Sequence, residues 1–517
     1  MYCHRFRRFL RSVLTCLLTS VPLQSGLVLA GSPDSAAEAS AGQNRPNIVW
    51  IIVDDMSANF SCYGETAIET PHVDQLAADG IRFTNAYVTA PVCSTCRSAF
   101  ITGMYQTTIG AHHHRSGRGT EKIHLPEGIV PIPKMFQQAG YHTSIGGWPE
   151  TRKGRFGKTD YNFEWDQSIY DGNDWSDRQP GQPFFHQIQT PGGKRRGGSP
   201  DSASRFRRHC EQVFGGATPL SKVTLPPYYP SDPMLVEDWA AYLDCCRYTD
   251  RLVGEVVDRL DQEGLLDSTV ILFMTDHGIS HARGKQFLYD EGLHVPLVIR
   301  GPGIAAGQAR SDLVEHIDIA ALSLGLAGIE IPPSMQARDI LAPDYLPREA
   351  VFSARDRCDE TVDHIRSVRT ARFKYIRNFL PDRPLLQPCA YKDKKSILVA
   401  LRAARDAGTL SDLQQRLLFS STRAPEELYD LQADPHEMNN LAQDPARAEV
   451  LKEMRLRLAD WMERSGDQGR EPEPAAMFDS DMKVYVDGLK ARNQDPMHVQ
   501  RILDNIALMK KWAAAGK

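Results

Sequence analysis

Apolar and polar positions along the chain follow two rhythms. Pro46-Asn47-Ile48-Val49-Trp50-Ile51-Ile52-Val53 is a continuous apolar run, as expected of a strand buried on both faces of a parallel sheet. Thr269–Thr275 is a second such run, and residues 141–145 read as a further strand. The other rhythm is helical. Residues 70–80 form a helix opening at Thr70-Pro71, with Val73, Leu76 and Ala77 on one face; residues 132–140 form another. Residues 238–264 are strongly periodic through Leu243, Tyr248, Leu252, Val256 and Leu260. Towards the end, 447–462 reads as a charged amphipathic helix, and the remainder as a polar helical tail.

Both long apolar runs end in acids, Asp54-Asp55 and Asp276-His277-Gly278. The carboxyl ends of strands are where open α/β sheets place ligands. Adjacent carboxylates repel, and a divalent cation is the usual reason to keep them together; a solvated turn is the alternative. If the two runs share a sheet, both acidic groups lie on one edge and the fold itself builds a metal cage.

Between them, Ala90 to Gly103 sets Cys93 just before an apolar run that opens a helix, with Arg97 four residues on. A helix N-terminus lowers a thiol's pKa and holds anions, and a guanidinium supplies a planar donor fork for an oxyanion. The segment therefore reads as an anion site with a reactive sulfur. A structural disulfide, a buried thiol, or a redox pair with Cys96 in C-x-x-C spacing are the alternatives. His112-His113-His114-Arg115 cannot turn three consecutive side chains to one metal, and reads as loop histidines near an anion. The basic, glycine-rich run 194–208 could line an entrance for anionic substrate, although most such runs are just mobile loop.

Composition narrows the class. The chain has 517 residues, 41% of them hydrophobic, and a net charge of −5, enough for a large core and two domains without the basic face of a nucleic-acid binder. Residues 1–30 carry a basic start and an apolar stretch ending Val28-Leu29-Ala30, which predicts a secretory signal peptide. An uncleaved membrane anchor is the alternative, against which Arg11, Pro22, Gln24 and Ser25 interrupt the stretch. Residues 31–45 are rich in Ser, Ala and Gly, a disordered spacer. The ten cysteines, two of them in the leader, do not have the spacing of a disulfide framework, although one or two bridges would suit an exported chain.

Taken together, Cys93-x-x-x-Arg97, the apolar segment after it and Thr102-Gly103 resemble the signature of the type I, formylglycine-dependent sulfatases of the alkaline-phosphatase-like superfamily. The likeness is to the secreted bacterial polysaccharide or heparan N-sulfatase type. It extends from Pro46 to Leu441 through Asp276-His277-Gly278, Lys285 at the family's spacing, Val314 to Ile319, and Glu427 to Leu431 followed by Asp434 to Leu441. The chain departs from the family's pattern in several places. Thr95 stands where Pro or Ala is usual, and Cys96 where Ser is common. Gly146-Gly147-Trp148-Pro149 replaces Gly-Lys-Trp-His, and Gly192-Gly193-Lys194 stands where a sulfate-binding histidine follows the strand 183–189.

The resemblance implies an α/β fold, with a large, mostly parallel (mixed) sheet flanked by helices and a smaller C-terminal α+β subdomain containing a four-stranded antiparallel sheet with a helix. The expected domains are 46–345, catalytic, and 346–517, C-terminal with a helical tail. It further implies hydrolysis of sulfate esters or sulfamates, on a sulfated carbohydrate. Cys93, oxidised to formylglycine by a maturing enzyme, would be the nucleophile. Asp54, Asp55, Asp276 and His277, with Cys93, would surround Ca²⁺ or Mg²⁺. Arg97, Lys285 and, in place of the missing lysine, Lys158 would stabilise charge; His186 and Lys194 are the candidates for the missing histidine. The mature protein would be periplasmic or secreted, with no nucleic-acid partner and no stable membrane span. A sulfated-glycan-binding relative without catalysis and a phosphoryl or phosphonate ester hydrolase on the same fold are the alternatives.

Overall fold

The apolar runs assemble into one sheet. In the computed structural model, which describes residues 45–148 and 155–517, the strands are β1 (Asn47–Val53), β2 (Ile81–Tyr87), β3 (His142–Gly147), β4 (Phe184–Thr190), β5 (Thr269–Thr275), β6 (His294–Arg300), β7 (Gln308–Arg310) and β8 (Val314–Glu315). They lie in the order β3-β4-β1-β5-β6-β2-β7, with β8 beside β2. β6 alone runs against its neighbours β5 and β2, so the sheet is mixed but mostly parallel, as expected. The expected leader, the spacer up to residue 44, and Pro149 lie outside the described residues.

β1 is buried along its whole length because both faces are covered. Ile48, Trp50 and Ile52 enter one core with Phe83, Phe100 and Phe185. Val49, Ile51 and Val53 enter the other with Tyr242, Leu243 and Phe273. Even Trp50 is satisfied there, its Nε1 donating to Ser323 Oγ at 2.9 Å.

The second core-facing helix layer includes Pro233–Gln262, which begins five residues before the expected start at Asp238. Asp232 caps it, accepting from the backbone N–H groups of Met234 and Leu235. The run expected to be a mobile loop is instead ordered secondary structure. Gly192–Arg196 is a 3₁₀ turn, and Pro200–Phe214 is a helix opened by a capping box between Ser199 and Ser202.

The second sheet, β12-β11-β10-β9, is antiparallel throughout, with β9 (Val351–Arg355), β10 (Ile365–Arg369), β11 (Phe373–Asn378) and β12 (Glu426–Asp430). The helix Ala448–Arg464 covers it, burying Leu451, Met454, Leu458 and Trp461, with Trp461 stacked on Phe352 at 5.1 Å. Two last helices, Ala475–Ala491 and Pro496–Ala514, pack through Val486, Leu489, Val499 and Ile502. Residues 45–517 form one compact unit. The eight cysteines among the described residues are free thiols, and no helix among these residues is long and apolar enough to cross a membrane.

Candidate active site

The strand pairing brings the two acidic groups together. Val53 pairs with Thr275 across β1 and β5, and with Thr190 across β1 and β4, so Asp54, Asp276 and the turn after Thr190 leave the sheet side by side. The Asp276 N–H donates to Val53 O at 2.8 Å, and the Asp54 N–H to Thr190 O at 3.1 Å. Asp55 takes a left-handed conformation (φ 55°), a region Asp tolerates better than most residues, and its N–H donates to Asp276 Oδ1 at 3.1 Å.

Cys93 is the first residue of the helix Cys93–Thr102, all ten residues of which are buried. No side chain caps this helix, so its first N–H groups remain free beside the acids. Cys93 Sγ lies 3.1 Å from His277 Nε2, 3.1 Å from Lys285 Nζ and 3.4 Å from Lys194 Nζ. It is 3% exposed. Arg97, one turn on, donates through Nε to Asp276 Oδ2 at 3.2 Å and also reaches Asp54 and Gln189 Oε1. Its guanidinium thus ties the ends of β1, β4 and β5 together.

The lysines arrive from three separate loops. Lys285 Nζ is 3.0 Å from Asp55 Oδ1. Lys194 Nζ is 2.7 Å from Asp54 Oδ2 and 3.4 Å from Asp55 Oδ1. Lys158 Nζ is 3.0 Å from Asp54 Oδ1 and 3.1 Å from Oδ2. Lys158 and Lys194 keep 30% and 29% of their side chains exposed, so they mark the open side of the site.

The field is strong enough to separate two cysteines three positions apart. Burial pushes the Cys93 thiol up, but Lys158, Lys194, Lys285 and His277 together hold it well below the ordinary thiol range. Cys96 is pushed well above that range by burial and then by Asp276. Its thiol donates to the Asp276 carbonyl and lies 3.0 Å from His316 Nε2, with no lysine in contact. Cys96 therefore clamps the helix to the end of β5, while Cys93 faces the charges. The carboxylates respond similarly. Burial opposes the charge on Asp54 and Asp55, yet Lys158, Lys194 and Arg97 hold the first well below its ordinary value, and Lys194, Lys285 and His277 the second. Asp276, where burial dominates, is pushed up to about 6.

The donor set fits a divalent cation. Hard carboxylate oxygens from two adjacent strand ends converge, and ammonium groups bridge them. His277 Nδ1 is 2.9 Å from Gly278 O, which can only accept, so in the neutral form that binding a cation requires the ring would keep its proton there and offer the Nε2 lone pair. Asp55 Oδ, Cys93 Sγ and a His277 ring nitrogen lie within 4.8 Å of one another.

Of the residues selected from sequence, Asp54, Asp55, Cys93, Arg97, Lys158, Lys194, Asp276, His277 and Lys285 all meet here. His186 does not. It sits in the middle of β4, with Nδ1 2.7 Å from Ser144 Oγ and its ring edge-on to Trp175, where burial pushes its pKa down to about 3. Its position within the strand, before the strand's carboxyl end, fixed that outcome. Two neighbours of the site carried no motif: Gln189 meets Arg97, and Tyr391 OH is 3.3 Å from Asp55 Oδ2. His114, from the run read as loop histidines near an anion, has Nδ1 2.6 Å from Ser94 Oγ.

The sulfatase family profile matches residues 46–329, more than half of the chain, and the profile of the N-sulphoglucosamine sulphohydrolase C-terminal region matches 277–383. The chain belongs to the sulfatase family. This sulfatase is 33% identical over 472 residues to an ulvan-active sulfatase of Formosa agariphila, covering 83% of this chain and 76% of that protein. It is 26% identical over 487 residues to human N-sulphoglucosamine sulphohydrolase, covering 82% and 91%. Its fold matches the structure of an enzyme complexed with its substrate D-glucosamine-2-N,6-O-disulfate, with a TM-score of 0.56 at 20% identity over 85% of this chain and 100% of that one. The mixed sheet with its antiparallel companion is the alkaline-phosphatase-like fold, and the sulfatase is a sulfuric ester hydrolase acting on sulfate esters or sulfamates.

Proposed function

We propose that this sulfatase desulfates a carbohydrate outside the cytoplasm, in the periplasm or secreted, after a maturing enzyme has oxidised Cys93 to formylglycine. The reading rests on one observation above all: the Cys93 sulfur sits within 3.4 Å of His277, Lys285 and Lys194 at an uncapped helix start. The relatives' activity on ulvan and on N-sulphoglucosamine supports a sulfated sugar.

A cation, Ca²⁺ or Mg²⁺, held by Asp54, Asp55, Asp276 and His277 would polarise sulfate oxygens, and the hydrated aldehyde of formylglycine would supply the nucleophilic oxygen. The side chains do the rest. Lys285 and Lys194 hold negative charge at the position of the Cys93 side-chain tip. Arg97 fixes Asp54 and Asp276 relative to each other. Lys158, on the open side, would supply a cation to the leaving sugar oxygen.

Exchanging the two cysteines' chemistry tests the assignment. Cys93→Ala abolishes sulfate release from sulfated oligosaccharides measured by ion chromatography. Cys96→Ser, which keeps a donor to the Asp276 carbonyl, retains most of it, and mass analysis finds the modified residue at 93 alone. Sulfate release by Cys93→Ala would overturn the mechanism.

A further inference from the structure

Outside the catalytic cluster, most buried charges are paired, but one exposed cation at the rim is held in place without being used up. Arg115 has φ 58°, a left-handed conformation costly for a residue with a long side chain. The backbone is pinned there by the residue next to the nucleophile. Its N–H donates to Ser94 Oγ at 2.9 Å, and the same oxygen lies 2.6 Å from His114 Nδ1. The guanidinium makes a single ion pair, NH1 to Asp359 Oδ1 at 3.5 Å, and is 47% exposed. Among the described residues no other acceptor takes its remaining donors.

Its backbone lies beside the start of the catalytic helix, through the Ser94 contact. Burial opposes its charge, while Asp359, Asp160 and then the Cys93 sulfur favour it. Asp160 lies one step outward from the catalytic lysine, its Oδ2 3.8 Å from Lys158 Nζ, and Oδ2 is buried without a hydrogen-bond partner among the described residues. Its other oxygen is taken by Arg118 at 2.5 Å. Asp160 is therefore taken up by Lys158 and Arg118, whereas the Arg115 guanidinium stays half-exposed on a backbone that Ser94, next to the nucleophile, pins in place. His114, Cys358 and Asp359 could by distance hold an ion of their own. Arg115 already supplies the cation to Asp359, however, and Cys358 Sγ accepts from Gln286 Nε2 at 2.9 Å.

We propose that Arg115 binds a second oxyanion of the substrate, a carboxylate or another sulfate on the sugar being desulfated or on its neighbour. The inference rests on the carbohydrate reading and narrows it to sugars carrying two anionic groups. A guanidinium fork binds either oxyanion through two parallel N–H donors, and its exposure leaves both free until substrate arrives.

The test uses full-length protein with Cys93→Ser, so that binding is read without turnover, and three probes titrated by calorimetry: D-glucosamine-2-N-sulfate, D-glucosamine-2-N,6-O-disulfate, and D-glucosamine-2-N-sulfate linked to a glucuronate. One or both dianionic probes bind more tightly than the monosulfate, and which one does distinguishes sulfate from carboxylate. Adding Arg115→Gln weakens the preferred dianionic probe about 10- to 100-fold, the loss expected for a charge-assisted pair, and leaves the monosulfate unchanged. Arg115→Lys recovers part of the loss, because it keeps the charge but not the fork. Equal weakening of all three probes by Arg115→Gln, or no weakening of any, overturns the inference and leaves the carbohydrate reading standing. Failure of every sugar to bind, with 4-nitrophenyl sulfate still turned over by the Cys93 protein, overturns the carbohydrate reading itself.

Discussion

Lys158 reaches Asp54 because of what Gly157 lacks. The Gly157 N–H donates to Ile145 O at 3.0 Å, and a Cβ at 157 would come within 2.6 Å of the Gly146 carbonyl oxygen. The chain can therefore lie flat against the end of β3 and deliver the next side chain across it, restoring a cation where Gly147 offers none. A developing alkoxide needs such a cation, and losing one comparable donor costs ~10²–10³ in rate. Lys158→Ala is expected to lower kcat on a sulfated sugar by about that factor. The loss is much smaller on an aryl sulfate, whose phenolate leaves unaided; equal losses on both would assign Lys158 to binding or structure. The substitution was readable from sequence, because a lysine beside a glycine in a short insert is the right chemistry within reach. His186 misled for the complementary reason: its residue type suited the task, but its strand position pointed it into the core beside Trp175.

At the scale of elements, the turn after β4 is as constrained as the acids it serves. The Gly193 N–H donates to Asp54 O at 2.9 Å, and a Cβ on Gly193 would meet Asp55 O at 2.2 Å. Gly192, at φ 46°, would meet Asp54 O at 2.3 Å. Only glycine lets this turn close on the strand end and set Lys194 over both carboxylates. Gly193→Ala is expected to displace the lysine by a fraction of an ångström to an ångström. It should cut kcat/KM by about 10²-fold while the circular dichroism spectrum stays native. Unchanged kinetics would mean the turn relaxes without moving Lys194. The strands β1 and β5 were legible because uninterrupted apolar runs have few other uses. The helix Pro200–Phe214 was not, since its many arginines mask the amphipathic period, although Ser199-Pro200-Asp201-Ser202 carries the capping signal that sequence reasoning passed over.

For the whole molecule, the sequence motifs describe the catalytic half well and its surroundings poorly. The matched family regions end at residue 383, yet Tyr391 touches Asp55, and Asp481 receives both the Arg118 N–H at 3.1 Å and Arg357 at 2.7 Å. These contacts join positions hundreds of residues apart and follow no local period, so nothing along the chain announces them. The same long-range closure has a consequence in time. Cys93 is sealed by Lys285 and His277, which take their places only once β5 has been made and paired with β1. At 3% exposure the thiol then offers no surface to another protein. A maturing enzyme would have to finish before the sheet does, so that oxidation and folding compete for the same nascent segment. Accordingly, a maturing enzyme added to the folded, unmodified protein is expected to leave the mass of the Cys93 peptide unchanged, while the same chain presented unfolded is converted. Equal conversion of both would show that the pocket opens by itself. If Cys93 is matured as proposed, a chain that folds too fast would become a well-formed molecule with a permanently silent centre, and stabilising substitutions that speed the pairing of β1 with β5 would lower the active fraction as they raise the yield.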